Sequence, residues 1–121
     1  PVFRRSTSEE VEIGIIGMGS TEDALRETQD ILAEMGIPVD YMRIRALPTN
    51  PAVREFIASH SRNYVLELNR DGQLCEILKL EISEYSQKLI SLSDIGGMPM
   101  TAKWAVESII NMERKEGKRG N

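Results

Sequence analysis

Three polar side chains, Glu67, Asn69 and Gln73, lie with Gly72 inside a single short run, Tyr64-Val65-Leu66-Glu67-Leu68-Asn69-Arg70-Asp71-Gly72-Gln73-Leu74. Asn69 and Gln73 offer both donors and acceptors, whereas an ionised Glu67 only accepts. The chemistry open to this set is recognition through fixed hydrogen bonds, with the glycine letting another backbone come close. A second reading stands beside it: Asn69 or Asp71 forms an Asx turn, Gly72 takes a positive φ, and the segment closes on itself. The run reads as an apolar strand, a polar turn and a helix beginning near Gln73. Strand, turn and helix make the half-unit of a parallel α/β sheet, where binding surfaces gather in the loops beyond the carboxyl ends of the strands.

Other residue types that could do chemistry carry less. Gly17-x-Gly19-x-x-Glu22 follows a strand and opens a helix, as a dinucleotide-binding turn does. Glu22 stands where the third glycine belongs, and a carboxylate there repels phosphate. Asp40 falls at the start of the next strand rather than at its end, where a ribose-binding acid belongs. A structural turn that needs small residues accounts for the two glycines. An aspartyl phosphoacceptor needs acids at the end of the first central strand, where this chain has Gly17 and Met18. Ser20 and Thr21 have no base evident in the sequence and hence no sign of activation. His60 is the only histidine, so no histidine-based metal cluster can form; at the expected end of a helix it reads as a solvent-facing cap. Cys75 is the only cysteine, which excludes an internal disulfide, and it reads as a small buried apolar residue.

The elements that position these residues must come from one domain. A chain of 121 residues buries about two thirds of its unfolded surface. With 40% hydrophobic, 28% charged and only 5% aromatic residues, aliphatic side chains and methionine have to fill the core. A net charge of -4 argues against a surface that tracks phosphates, so nucleic acid is not an expected partner, and with no long apolar run neither is a membrane. The basic cluster Lys115, Lys118 and Arg119 belongs to a polar stretch, residues 113–121, expected as a mobile tail to a domain of residues 1–112. The first residue is Pro1 rather than Met, which suggests a processed or excised piece of a longer protein.

In chain order, Pro1 to Arg5 is β-capable, and Val11 to Ile16 is nearly continuous in apolar residues, the pattern of a strand covered on both faces. Ser20 or Thr21 caps a helix in which Ala24, Leu25, Thr28, Ile31, Leu32 and Met35 recur at helical spacing, and Gly36 ends it. Val39 to Ala46 is a strand nearer the edge. Pro51 opens a second helix with Val53, Phe56 and Ile57 turned inward. Tyr64 to Leu68 is the next strand, adjacent to Val11 to Ile16 and central with it. The helix from Gln73 to about Ile82, an edge strand from Lys88 to Asp94, and a last amphipathic helix capped by Thr101 complete the order. Alternating strands and helices point to a doubly wound, mostly parallel sheet.

The residues also carry a family resemblance. Gly14-Ile15-Ile16-Gly17-Met18-Gly19-Ser20-Thr21, Met35-Gly36-Ile37 leading into Val39 to Pro48, Glu67-x-Asn69-x-x-Gly72-Gln73-Leu74, and Gly96-Gly97-Met98-Pro99-Met100-Thr101 occur in an order and spacing similar to those of the C-terminal transketolase-like domain of the alpha subunit of 2-oxoacid:ferredoxin oxidoreductases. The resemblance spans Val11 to about Met112. It implies a three-layer α/β/α sandwich whose five-stranded sheet has one antiparallel strand, here Val2 to Arg5. It further implies a cytoplasmic thiamine diphosphate enzyme, with magnesium and iron-sulfur clusters, that oxidatively decarboxylates a 2-oxoacid to an acyl-CoA and reduces ferredoxin.

In such an enzyme the partners of this domain are the preceding domain of the same alpha chain and the beta subunit, with ferredoxin and coenzyme A engaging the whole complex. The chain has no Gly-Asp-Gly diphosphate motif and no clustered cysteines, so it is not expected to catalyse alone. The residues expected at an interface are Gly19, Ser20 and Thr21 on one turn and Glu67, Asn69, Gly72 and Gln73 on the other. The alternative is an independent α/β module that binds a small anion or nucleotide at the Gly17 to Thr21 turn.

Overall fold

The structure is a computed structural model that describes residues 2–4, 11–18, 22–44, 51–67, 73–93 and 101–119. Its strands are β1 (Val2–Arg4), β2 (Ile13–Met18), β3 (Val39–Ile44), β4 (Arg62–Glu67) and β5 (Leu89–Ser93). Its helices are α1 (Glu22–Glu34), α2 (Pro51–Ala58), α3 (Gln73–Glu81) and α4 (Ala102–Arg119), with a 3-10 segment at Ser83–Lys88. The five strands form one sheet in the order β1-β3-β2-β4-β5. Four are parallel, and β1 alone runs antiparallel, against β3. The expected pairing of the two most apolar strands therefore holds: β2 and β4 are parallel neighbours inside the sheet, and β5 is at an edge.

Register divides the side chains between two faces. Ile13, Ile15, Val39, Tyr41, Tyr64 and Leu66 pack with α1 and α4 through Leu25, Leu32, Ala105 and Ile109. On the other face, Ile16, Met42 and Val65 pack with α2 and α3 through Phe56, Ile57, Cys75 and Leu78. Because every described side chain of β2 is buried, both helical layers are required to keep that strand dry.

The helices begin and end where local chemistry directs. Pro51 occupies the first position of α2, and the Thr101 hydroxyl accepts from the Trp104 amide at 3.1 Å to cap α4. Gly36, at φ 83°, ends α1: its amide donates to Ala33 and the Ile37 amide to Leu32, a Schellman closure. Met35 sits in that closing turn and is 54% exposed rather than part of the buried stripe. Helix α4 continues to Arg119, past the expected boundary at Met112, so residues 113–119 are helical. Strand β2 is displaced two residues along the chain from the apolar run. The Glu12 carbonyl turns aside to accept the Ser61 and Arg62 amides, while Gly17 and Met18 extend the pairing with Arg43 and Ile44.

His60 corrects the sequence reading most plainly. It is buried, not a solvent-facing cap. Gly14 pairs with Asp40 on one side and Asn63 on the other, which leaves a side-chain-sized notch between them. The imidazole fills it, edge-on to the Phe56 ring with centroids 4.5 Å apart. Its Nδ1 donates to the Phe56 carbonyl at 2.6 Å, and its Nε2 meets Asp40 Oδ2 at 2.8 Å. A carbonyl only accepts, so Nδ1 is the donor of the first contact. Asn63 Nδ2 donates to the Ile57 carbonyl at 3.0 Å. The end of α2 is thus tied to three strands through one residue that lacks a side chain. A Cβ at position 14 would collide with Asn63 Oδ1 and come within 2.8 Å of His60 Nδ1 and of Phe56 Cε1. Gly14→Ala is expected to cost about 1–3 kcal/mol, the range for overpacking a buried site, as read by urea unfolding.

Candidate functional site

Of the expected site residues, the described ones, Glu67 and the backbone of Gln73, lie at the carboxyl rim of the sheet. Strands β2 and β4 are parallel and in register, Ile16 opposite Val65, so their ends at Met18 and Glu67 lie on one rim. Helices α1 and α3 begin there as well, on opposite faces of the sheet. Gly19, Ser20, Thr21, Asn69 and Gly72 fall outside the described residues. Gln73 is the first residue of α3, and its backbone alone is described. Glu67 is the remaining member of the set.

Glu67 is buried and turned inward. Its Oε1 accepts from the Leu74 amide at 2.5 Å, and its Oε2 from the Cys75 amide at 3.4 Å and the Ser91 hydroxyl at 3.3 Å. Those amides belong to the first turn of α3, which has no intrahelical acceptor for them, and a carboxylate also suits the positive end of the helix. The acid therefore acts as a cap supplied from the neighbouring strand. Two of the amides with which α3 could hold a phosphate are occupied. Cys75 is buried behind this cap, and burial raises its thiol above the usual range, which keeps it protonated and unreactive.

A second polar cluster lies at the amino rim and was not anticipated from the sequence. Arg62, the first residue of β4, bonds Glu113 of α4 with Nε at 2.6 Å and with Nη2, and the Tyr64 hydroxyl donates to the same carboxylate. Hydrogen bonding to Glu113 holds the Arg62 guanidinium above its usual range. Burial first, then the bond to Glu113, raises Tyr64. Burial pushes the Glu113 carboxyl upward, but the hydrogen bonds from Arg62 and Tyr64 outweigh it and the net shift is downward. A cleft of about 280 Å³ beside the cluster is lined by Glu12, Ile13, Gly36, Ile37, Pro38, Arg62 and Glu113. Its arginine is already held by Glu113, so the cleft has little to offer an anion.

Among the described residues, no three His, Cys, Asp or Glu side chains are grouped to hold a metal ion. Nor is any described helix long and apolar enough to cross a membrane. What the described geometry does is bond helices to strands at both rims of the sheet. The mostly parallel sheet between two helical layers, with its antiparallel edge, defines an α/β/α domain of the transketolase C-terminal type.

Comparison with solved structures narrows that class. Over 92% of its length the chain is similar to 19% of the chain of 2-oxoglutarate:ferredoxin oxidoreductase from Magnetococcus marinus, whose structure holds 2-oxoglutarate, coenzyme A and succinyl-CoA, with 29% identity and a TM-score of 0.77. It thus spans about a fifth of that relative's length. Over 91% of its length it also shares the fold of the alpha chain of a probable 2-oxoacid ferredoxin oxidoreductase from Thermoplasma acidophilum, covering 95% of that chain at 18% identity and a TM-score of 0.55. No protein-family model and no curated protein matches. The likeness to 2-oxoacid:ferredoxin oxidoreductases that the motifs carry is thus found again in the fold.

Two outcomes follow for these clusters. Glu67→Gln leaves one oxygen for three donors and is expected to lower stability by about 1–3 kcal/mol, measured by chemical denaturation of the chain. Glu113→Gln is expected to cost about 1–2 kcal/mol near neutral pH, since both partners keep some exposure, 25% for Arg62 and 18% for Glu113. Because the Glu113 carboxyl is lowered in the fold, its contribution is complete above the ordinary carboxyl range and is lost as pH falls through the depressed value. The stability difference between wild type and Glu113→Gln should therefore shrink in unfolding titrations taken progressively below about pH 4.

Proposed function

We propose that this chain is the C-terminal assembly domain of the alpha chain of a 2-oxoacid:ferredoxin oxidoreductase, a cytoplasmic enzyme that uses thiamine diphosphate to decarboxylate a 2-oxoacid oxidatively, forms an acyl-CoA and reduces ferredoxin. The observation that carries this reading is the match of 92% of the chain, at 29% identity, to one part of an enzyme five times its length. The inward-facing polar groups agree with it: Asp40, Glu67, Glu113 and His60 hold helices to strands. In this reading the domain contributes a rim rather than reacting groups. Gly19, Ser20 and Thr21 together with Asn69, Gly72 and Gln73 meet the preceding domain of the alpha chain or the beta subunit. Thiamine diphosphate, magnesium and the iron-sulfur clusters are held by other parts of the enzyme.

The test is reconstitution. Co-expressed with the remaining alpha-chain region and the beta subunit from the same genome, the chain should copurify and restore 2-oxoacid- and CoA-dependent reduction of ferredoxin. Alone, it should bind no thiamine diphosphate in calorimetry. Copurification with neither component, together with measurable binding of inorganic phosphate or AMP to the chain alone, would instead favour an independent anion-binding module. At the rim, Gln73→Ala is expected to change the stability of the chain by no more than about 0.5 kcal/mol. It should weaken assembly by about 1–3 kcal/mol, since a partner group is left unsatisfied. The two effects are read by thermal unfolding and by separate titrations of the preceding alpha-chain region and the beta subunit.

A further inference from the structure

We propose that Glu67 is a positioning residue for the rim contact described above: it fixes where Gln73 stands, through the first turn of α3, without touching the partner itself. The inference rests on that reading of the rim. Glu67 is buried and both of its oxygens are taken, Oε1 by the Leu74 amide at 2.5 Å and Oε2 by the Cys75 amide at 3.4 Å and the Ser91 hydroxyl at 3.3 Å. Gln73 is the first residue of α3 and directly precedes Leu74. Whatever anchors the Leu74 amide therefore anchors the backbone of Gln73. Through Ser91 the same carboxylate also touches β5, so the start of the helix is referenced to two strands at once.

Glutamine at 67 keeps the length of the side chain but halves its acceptors. Its amide nitrogen would face the Cys75 amide donor against donor, and could keep the Ser91 contact only if that hydroxyl turned to accept. The first turn of α3 is then free to move away, and Gln73 moves with it. Hydrogen bonds weaken steeply with distance and angle, so a small displacement at Gln73 is enough to lose a contact across an interface.

The experiment is a double-mutant cycle in the reconstituted enzyme, with assembly followed by titrating the preceding alpha-chain region and the beta subunit separately. The proteins are wild type, Glu67→Gln, Gln73→Ala and the double variant. Glu113→Gln serves as the control, because it loosens the domain at the opposite rim. Each single rim variant should weaken assembly about tenfold. The double variant should be little weaker than either, because both remove the same contact. Glu113→Gln should stay within about twofold of wild type despite a lower melting temperature. Multiplying effects in the double variant, unchanged assembly with Glu67→Gln, or equal weakening by Glu113→Gln would each overturn the positioning role and leave the proposed function standing. No effect of Gln73→Ala would remove the rim reading and this inference with it. If Glu67→Gln does not fold, Glu67→Asp takes its place in the cycle. It keeps the charge one methylene short, and a loss between wild type and tenfold, again not multiplying with Gln73→Ala, is the expected result.

Discussion

Strand β2 has no free side. It is hydrogen-bonded to β3 on one edge and to β4 on the other, and its two faces are covered by different helical layers. A strand in that position cannot carry ordinary polar side chains, and it limits the size of whatever packs above it. Gly14 is where this limit is used. The missing Cβ admits His60, and His60 brings the end of α2 down onto β3 through Asp40. Burial of such a pair costs desolvation that only complete hydrogen bonding offsets, so the geometry there has little latitude.

The polar groups at the two rims solve a related problem in different ways. At the amino rim, Arg62, Tyr64 and Glu113 lock the last helix to a central strand. At the carboxyl rim, Glu67 supplies acceptors to amides that a helix start leaves bare. Neither arrangement has the form of a reaction centre: each charged group faces a partner that satisfies it. A domain built this way is suited to presenting a surface in fixed register, as the proposed assembly role would require.

Much of the layout was legible in the sequence because it depends on periodicity and on punctuation. The apolar run ending at Ile16, the stripe through Leu25 and Leu32, Pro51, Gly36 and Thr101 each act locally and were read correctly. His60 was misread because the signal for its burial is not local: it lies in Gly14, which is 46 positions earlier, and in Asp40, at the head of another strand. A glycine inside an otherwise apolar strand marks close approach by something, but not by what. Met35 continued the helical spacing, yet the turn at Gly36 had already carried it out to the surface. Glu67 was recognised as part of a polar group on the turn, while its inward direction follows from the face it shares with Val65, where the bare Leu74 and Cys75 amides of α3 meet it. Glu113 looked like the start of a solvated tail because its partners, Arg62 and Tyr64, are about 50 positions away.

Helix α4 is the last of the described elements, and together with α1 it covers the face of the sheet formed by Ile15, Tyr64 and Leu66. That face is complete as a sheet surface once β4 has been made, but it stays open along one side until residues 102–113 have left the ribosome. At an ordinary rate of synthesis this exposes the apolar side chains for several seconds. Closure then needs contacts between segments some 80 positions apart, and such long loops close slowly. The order of synthesis therefore leaves one apolar face of the sheet uncovered until α4 is made.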